Sequence, residues 1–231
     1  ETALQPEAAV AHFRAALALE PANYEALWKA SRALVNVAKQ IDSKDDALEK
    51  RRDSLYMEAR TLAEAAVSAN RQGAQGHSMV AQALGRLSRT RGGKERVRFA
   101  KTIYDEALGA IELDSTNDPA LHVLGAWHAE IKRLSGIQRF FAKALFGADF
   151  MDKANWNDAQ QYLMRAVALN PQNIYHHLEL GQVYLDLKRY TKAREQLTAI
   201  HDLPIADVLD HKYKIDAEAL LGETRDKKEY R

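Results

Sequence analysis

The apolar positions of the chain recur at helical spacing, and they close repeatedly on one phrase, Ala-x-x-Leu followed by a turn. The phrase occupies residues 16–21, 110–115 and 166–171. No alternation of apolar and polar residues bounded by turn signals, the pattern typical of strands, stands out along the chain. With only 11 Gly and 5 Pro in 231 residues, the chain is also poor in residues that interrupt helices. The pattern therefore predicts an all-α protein.

Weaker copies of the phrase extend the set of small or apolar anchors. The anchors are Ala16, Ala66, Ala110, Ala166 and Ile200, at successive intervals of 50, 44, 56 and 34 residues. The last interval equals the tetratricopeptide period of about 34 residues. The sequence therefore predicts a tetratricopeptide-like helical-repeat solenoid with long insertions between paired helices.

Within each expected pair, a first helix carries Leu-Gly and a second helix carries the anchor. Leu180-Gly181 fits this template best, and Leu124-Gly125 repeats it one unit earlier. Such small residues let two helices approach closely, and stacking of the pairs covers their apolar faces. We expect a single helical-repeat domain over residues 1–222, with about four helix pairs and a capping helix, and a charged C-terminal tail over 223–231.

Composition narrows the functional classes. The net charge of +1 gives no global attraction to nucleic acid, and the absence of cysteine excludes disulfides and thiolate metal sites. No apolar run approaches the length of a membrane span, so we expect a soluble domain of undetermined compartment. The chain starts at Glu1 without methionine, which indicates that a signal peptide, an anchor or an artificial boundary preceded it.

Catalytic patterns are missing from the sequence. The neighbours His176 and His177 diverge by about 100 degrees on a helix, so they do not chelate one metal as an i, i+4 pair does. No zinc-protease, nucleophile-elbow or dinucleotide-binding motif occurs. We therefore expect no enzyme, no metal and no cofactor.

In a solenoid of this type the first helix of each pair lines the concave side. The Leu-Gly register places there a set of residues that would meet a protein or peptide partner: Glu25, Trp28, Arg32, Val35, Ser78, Gln82, His122, Tyr175, Leu178, Gln182 and Leu185. Trp28 and Arg32 lie one turn apart and lead this set, because aromatic and arginine side chains are common energetic anchors of interfaces. Trp28 as the core aromatic of its own unit is the open alternative.

A basic segment surrounds the turn at residues 90–93. Its cations are Arg86, Arg89, Arg91, Lys94, Arg96 and Arg98, with Glu95 to offset them. An anion-binding patch is one interpretation, but a solvated hairpin tip is favoured, because charge runs on helices are usually exposed faces.

The longest insertion contains an amphipathic stretch. Ile137, Phe140, Phe141 and Leu145 fall on one side of a helix. Arg139 and Lys143 flank this apolar side, so the helix could lie on a membrane interface. Packing into the solenoid core is the favoured interpretation, since apolar stripes usually face a core.

The block from Leu124-Gly125-Ala126-Trp127 to Leu145-Phe146-Gly147, followed by a repeat unit that ends at Leu169-Asn170-Pro171, resembles the regulator of microtubule dynamics family. The resemblance covers roughly residues 75–222. It implies a non-enzymatic helical-repeat domain, and eukaryotic members are associated with microtubules and organelle-membrane contacts. The chain departs from them in a longer link over residues 148–157 and in a bacterial style of sequence, so fold and scaffolding role carry over, and the partner does not.

Two functional hypotheses follow from the sequence. The first is a non-enzymatic scaffold or adaptor that binds a peptide or helix in the concave face. The second is a membrane-peripheral phospholipid-binding module that uses the basic hairpin and the phenylalanine-rich helix.

Overall fold

The computed structural model describes residues 4–229, and these contain eleven α-helices and no strand. The predicted all-helical class is therefore confirmed. The chain divides into two compact units, of which unit 1 ends at Val123 and unit 2 begins at Leu124. The expectation of one domain over residues 1–222 stays a prediction.

Unit 1 is a run of antiparallel neighbours in which each helix packs against the next one in the chain. Its complete helices are α1 (Pro6–Leu19), α2 (Tyr24–Lys39), α3 (Asp46–Ala69), α4 (Ala74–Ser88) and α5 (Gly93–Leu113). Helices α2 and α4 also contact each other, as the first helices of successive pairs should. The 24-residue α3 and the 21-residue α5 absorb most of the extra length predicted between the early anchors.

Unit 2 begins within α6 (Asp118–Arg133), the helix in which the division between the units falls. Its further helices are α7 (Gly136–Phe146), α8 (Trp156–Leu169), α9 (Ile174–Asp186), α10 (Tyr190–Ala199) and α11 (Asp210–Thr224). A 3-10 turn at Asp149–Lys153 follows α7, and another at Ile200–Asp202 follows α10. Helix α11 packs on both α9 and α10, which is the place of the expected capping helix.

The recurrent phrase corresponds to a recurrent turn between helices. After α1, α3, α5 and α8 the backbone N–H that follows the helix donates to the carbonyl of the anchor alanine; the anchors are Ala16, Ala66, Ala110 and Ala166. Asparagine side chains then begin the next helix by accepting backbone N–H bonds; they are Asn23, Asn117 and Asn173. These bonds satisfy N–H donors that a helix N-terminus leaves open. The turn at the end of the phrase therefore leads directly into the next helix.

Small residues lie eight positions after the residue that begins each first helix. They are Ser31, Ala81, Gly125 and Gly181. A Cβ atom on Gly125 would lie 2.5 Å from Cγ of Leu163, and one on Gly181 would lie 2.9 Å from Cδ2 of Leu197. The Leu-Gly template predicted from the sequence therefore marks points of close helix contact.

Candidate functional site

The face of α2 in unit 1 carries the two leading candidates. Trp28 is partly exposed, and its ring lies 5.1 Å from the guanidinium carbon of Arg32 and 5.5 Å from Nζ of Lys29. Glu25, one turn earlier, is exposed and forms an ion pair with Lys29. The quadrupole of an indole ring attracts cations. Trp28, Lys29 and Arg32 together therefore present an aromatic surface with positive charge beside it.

The neighbouring helix α4 adds a polar pair. The side-chain amide of Gln82 donates to Oγ of Ser78 at 3.1 Å, and Gln82 is partly exposed. Tyr24, at the start of α2, packs against Gly73, and its hydroxyl accepts the backbone N–H of Gly76 at 3.1 Å. This contact fixes the start of α4 against α2, so the two helices present their faces in a defined register.

Four of the expected contact residues are buried instead. Ser78 is fully buried, and Val35, His122 and Leu178 are between 3% and 6% exposed. These positions lie where a first helix meets its neighbours as well as the concave side. The residue spacing alone therefore did not show that they are buried. They are corrected here to packing positions and carry no part of the proposed surface.

In unit 2 the corresponding face of α9 is packed against α11. The rings of Tyr175 and Tyr213 stack with centroids 4.6 Å apart and an interplanar angle of 8°. Leu178 and Tyr213 share one buried cluster, and Leu185 packs partly against it. Of the residues expected to meet a partner here, Gln182 is the one left outside this cluster, and it is partly exposed.

A buried polar group lies between α6 and α8 in unit 2. His128 is 2% exposed, stacks on Tyr162 at 5.7 Å and accepts the backbone N–H of Asn155 at Nδ1. Burial lowers the pKa of His128 below its ordinary value, and the carboxylate of Asp158 opposes that shift. The fold therefore favours the neutral imidazole.

Arg133, at the end of α6, joins this helix to α9. Its guanidinium pairs with Glu130, with the buried Glu179 at 3.1 Å and with Asp186 at 2.8 Å. Burial alone would lower the pKa of Arg133, but the carboxylates of Glu179 and Asp186 outweigh it and raise the pKa. This network is a structural tie within unit 2, because its groups are occupied by one another.

The basic segment of unit 1 is the turn between α4 and α5, as expected. Lys94, Arg96, Arg98 and Arg89 are exposed, which fits a solvated hairpin tip. Arg91, however, pairs with Asp53 of α3 at 2.7 Å as well as with Glu95. The expectation that Glu95 alone offsets the cations is therefore corrected, because sequence distance concealed Asp53.

Arginines from α3 and α4 also surround the buried hydroxyl of Tyr56. Burial raises the pKa of Tyr56, and the charges of Arg86, Arg52 and Arg89 oppose that rise. Whether this basic segment binds an anion stays a prediction.

Helix α7 departs most from its favoured interpretation. Its apolar side is exposed rather than packed in a core; the exposed fractions are Ile137 70%, Phe140 66%, Phe141 53% and Leu145 66%. The core interpretation is therefore wrong.

The expected basic flank of α7 is engaged inside unit 2. Nη1 of Arg139 donates to the carbonyl of Leu134 at 2.9 Å, and Lys143 forms an ion pair with Asp152. A basic flank facing an anionic surface is what the phospholipid hypothesis requires. The exposed side of α7 favours that hypothesis and the engaged cations disfavour it, so it stays a prediction.

Sequence reasoning missed two participants. Lys29 adds a second cation to Trp28, and its signal was the i, i+4 spacing to Glu25. Asp53 carried no signal, since it lies 38 residues from Arg91.

Two absences in the described part of the chain concern metal binding and membrane spanning. Among residues 4–229 no group of three or more histidine or carboxylate side chains is placed to hold a metal ion. Within the same residues, no helix combines the length and apolar character needed to cross a bilayer.

Comparison with known proteins adds a family and relatives. The family model described as regulator of microtubule dynamics protein 1-3 matches residues 2–225. The Bos taurus regulator of microtubule dynamics protein 1 is 28% identical over 210 residues, which cover 90% of this chain and 64% of that relative. The Rattus norvegicus regulator of microtubule dynamics protein 3 is 25% identical over 195 residues, covering 84% of this chain and 40% of the relative. The chain thus spans less than two thirds of the length of these relatives.

A solved structure supports the fold. The crystal structure of a thermophilic TPR protein of Thermus thermophilus superposes with a TM-score of 0.59 at 17% sequence identity. The match covers 96% of this chain and 91% of that one. The predicted tetratricopeptide-like helical-repeat class is therefore confirmed.

Proposed function

The chain belongs to the regulator of microtubule dynamics protein 1-3 family, and from that premise we propose that it is a non-enzymatic protein-interaction scaffold. Helical repeats of this type expose the faces of successive first helices, which suit the binding of extended peptides or helices. The proposed contact surface, called the α2 face below, consists of Glu25, Trp28, Lys29 and Arg32, with Gln82 beside it on α4.

The observation that carries this proposal is the Trp28 group. Its aromatic ring remains partly exposed, although a tryptophan on a helix could have been packed fully into the unit. The cations of Lys29 and Arg32 lie over the ring and restrict its motion. A restrained aromatic with adjacent arginine loses little entropy on binding, which is how interface hot spots gain affinity.

The α2 face has both apolar and polar means of recognition. The indole offers apolar area, Arg32 adds positive charge beside it, and Gln82 offers an amide. Glu25 offsets Lys29 through their ion pair. We therefore expect a partner segment that combines an apolar side chain with acidic residues.

Quantitative capture from the proteome of the source cell tests the proposal. The native chain is compared with Trp28→Ala, Arg32→Glu, which removes the aromatic and inverts one charge on the α2 face. The matched control is Tyr190→Ala, Lys192→Glu on α10, which likewise replaces one aromatic by alanine and one cation by glutamate, in unit 2. We expect a partner recovered by the native chain and by the control but lost, by about tenfold or more, with the α2-face variant.

Equal recovery by all three chains would contradict the proposed surface. The names of the relatives describe regulators of microtubule dynamics. A second arm with purified microtubules asks whether this chain shares that partner, and loss of cosedimentation in the α2-face variant would assign it to the same surface.

A further inference from the structure

Helix α7 has an apolar face that no residue among 4–229 covers. Phe140 and Phe141 meet edge to face at 5.7 Å, and Ile137 and Leu145 continue the surface one turn to either side. These four side chains form what we call the α7 face, whereas Phe146, four residues after Ala142, lies on the opposite side of the helix. Contiguous exposed apolar surface of this kind marks an interaction site more often than an unused surface.

The α7 face is presented by a helix that is already fixed. Ser135 and Gln138 form a capping box at its start, and Gly147, with φ of 64°, ends it in the left-handed conformation. Its inner side packs through Ala142, which is 9% exposed. Because the helix is formed before binding, no conformational entropy is lost in folding it when a partner binds.

The charges around α7 indicate which kind of partner fits. Nη1 of Arg139 is directed at carbonyls of residues that end α6, and Lys143 is paired with Asp152. The cations of the helix are thus engaged within unit 2 and do not stand ready for an anionic surface. The α7 face itself consists of uncharged side chains, so two identical copies of it can approach without like-charge repulsion.

The exposed area also suits pairing of two such faces. From the exposed fractions of its four apolar residues, the α7 face offers roughly 500 Å², given that aromatic side chains bury about 150–250 Å² each. Symmetric pairing of two faces would bury roughly 1,000 Å², the size of weak and reversible interfaces.

We propose that the α7 face is a self-association surface through which two copies of this chain form a two-fold symmetric dimer. The phenylalanines of one copy pack against those of the other around the symmetry axis. Because the buried area is that of a weak interface, the dimer is in reversible exchange with the monomer.

Sedimentation velocity of the full chain over a concentration series tests this proposal. The variant Phe140→Glu, Leu145→Glu places four carboxylates at the dimer axis, two from each copy. The control Leu19→Glu, Ile215→Glu makes the same changes at residues that are 90% and 66% exposed elsewhere in the chain. We expect the native chain and the control to dimerise, and the dissociation constant of the α7 variant to rise by at least about tenfold.

Circular dichroism of each variant separates lost association from lost folding. A native chain that stays monomeric over the whole concentration series would overturn the proposal, and so would a dimer that the α7 variant preserves. The native chain is also centrifuged with vesicles of phosphatidylcholine alone and with added phosphatidylserine. A monomeric chain that binds these vesicles through Phe140 and Leu145 would assign the α7 face to a membrane and refute the dimer.

Discussion

The faces of α2 and α9 share one repeat register and differ in what lies against them. Trp28 of α2 and Leu178 of α9 each lie five residues after an asparagine that begins the helix. Leu178 is 3% exposed in a cluster with Tyr213 of α11, whereas Trp28 remains partly exposed under two cations. A position in the repeat therefore does not decide its role, because the neighbouring helix does.

The difference follows from the residues that each helix offers. The face of α9 carries Tyr175, Leu178 and Leu185, which supply apolar area for a capping helix. The face of α2 carries Glu25 where α9 carries Tyr175, and Arg32 where α9 carries Gln182. Charged side chains are costly to bury without partners, so this face stays partly exposed.

The largest expected effect comes from the tightest helix contact in unit 2. Replacing Gly125 by leucine should lower the free energy of unfolding by about 3 kcal/mol through overpacking. The reason is that even its Cβ would lie 2.5 Å from Leu163 and 3.0 Å from the carbonyl oxygen of Ala159. Urea denaturation measures it, with Gly85→Leu in unit 1 as control, since nothing lies within 4 Å of a Cβ at Gly85. Equal stability of the two variants would contradict the close contact.

The equivalent contact one pair later should be less sensitive. Gly181→Leu should cost about 1 to 3 kcal/mol, because a Cβ there meets the flexible end of Leu197 at 2.9 Å and the carbonyl of Ala193 only at 3.8 Å. The melting temperatures of the Gly125→Leu and Gly181→Leu variants show which of the two helix contacts is the less tolerant of a larger side chain. An unchanged melting temperature for Gly181→Leu would show that the repeat register is misplaced.

The third prediction compares the same repeat position in the two units. Tyr175→Ala should cost about 1 to 3 kcal/mol because it removes the ring stacked on Tyr213. Glu25→Ala removes an exposed carboxylate paired with Lys29 and should change stability by less than about 0.5 kcal/mol. Chemical denaturation of both variants measures the contrast, and similar losses would show that α11 does not close the face of α9.

The smallest effect concerns pH and the interior of unit 2. Burial depresses the pKa of His128, so the folded state binds fewer protons than the unfolded state once the pH falls below the ordinary histidine value of about 6.5. The contribution of this residue to stability is complete above that value and is lost as the pH falls through it. Between pH 7.5 and 5.0, urea melts should show a larger loss for the native chain than for His128→Gln. Parallel losses would contradict a neutral, buried imidazole.

Much of the fold was predictable because the repeat pattern records local physics. Anchors such as Ala66 and Ala110 are fully buried, and Gly125 and Gly181 lie at close helix contacts. Each follows from spacing and side-chain size, which are properties of the sequence.

The candidate site was less predictable because it depends on tertiary neighbours. Periodicity showed that Ile137, Phe140 and Leu145 share one side of α7, but it does not say what covers that side. In the same way, the burial of Leu178 depends on its contact with α11, and the sequence of α9 does not specify where α11 lies.

The most direct test of the scaffold proposal is hydrogen exchange of the native chain, measured alone and with the partner isolated by capture. We predict slowed exchange in α2, centred on Trp28 and Arg32, with little change in α9. Protection confined to α9, or to α7 without α2, would contradict the assignment of partner binding to the α2 face.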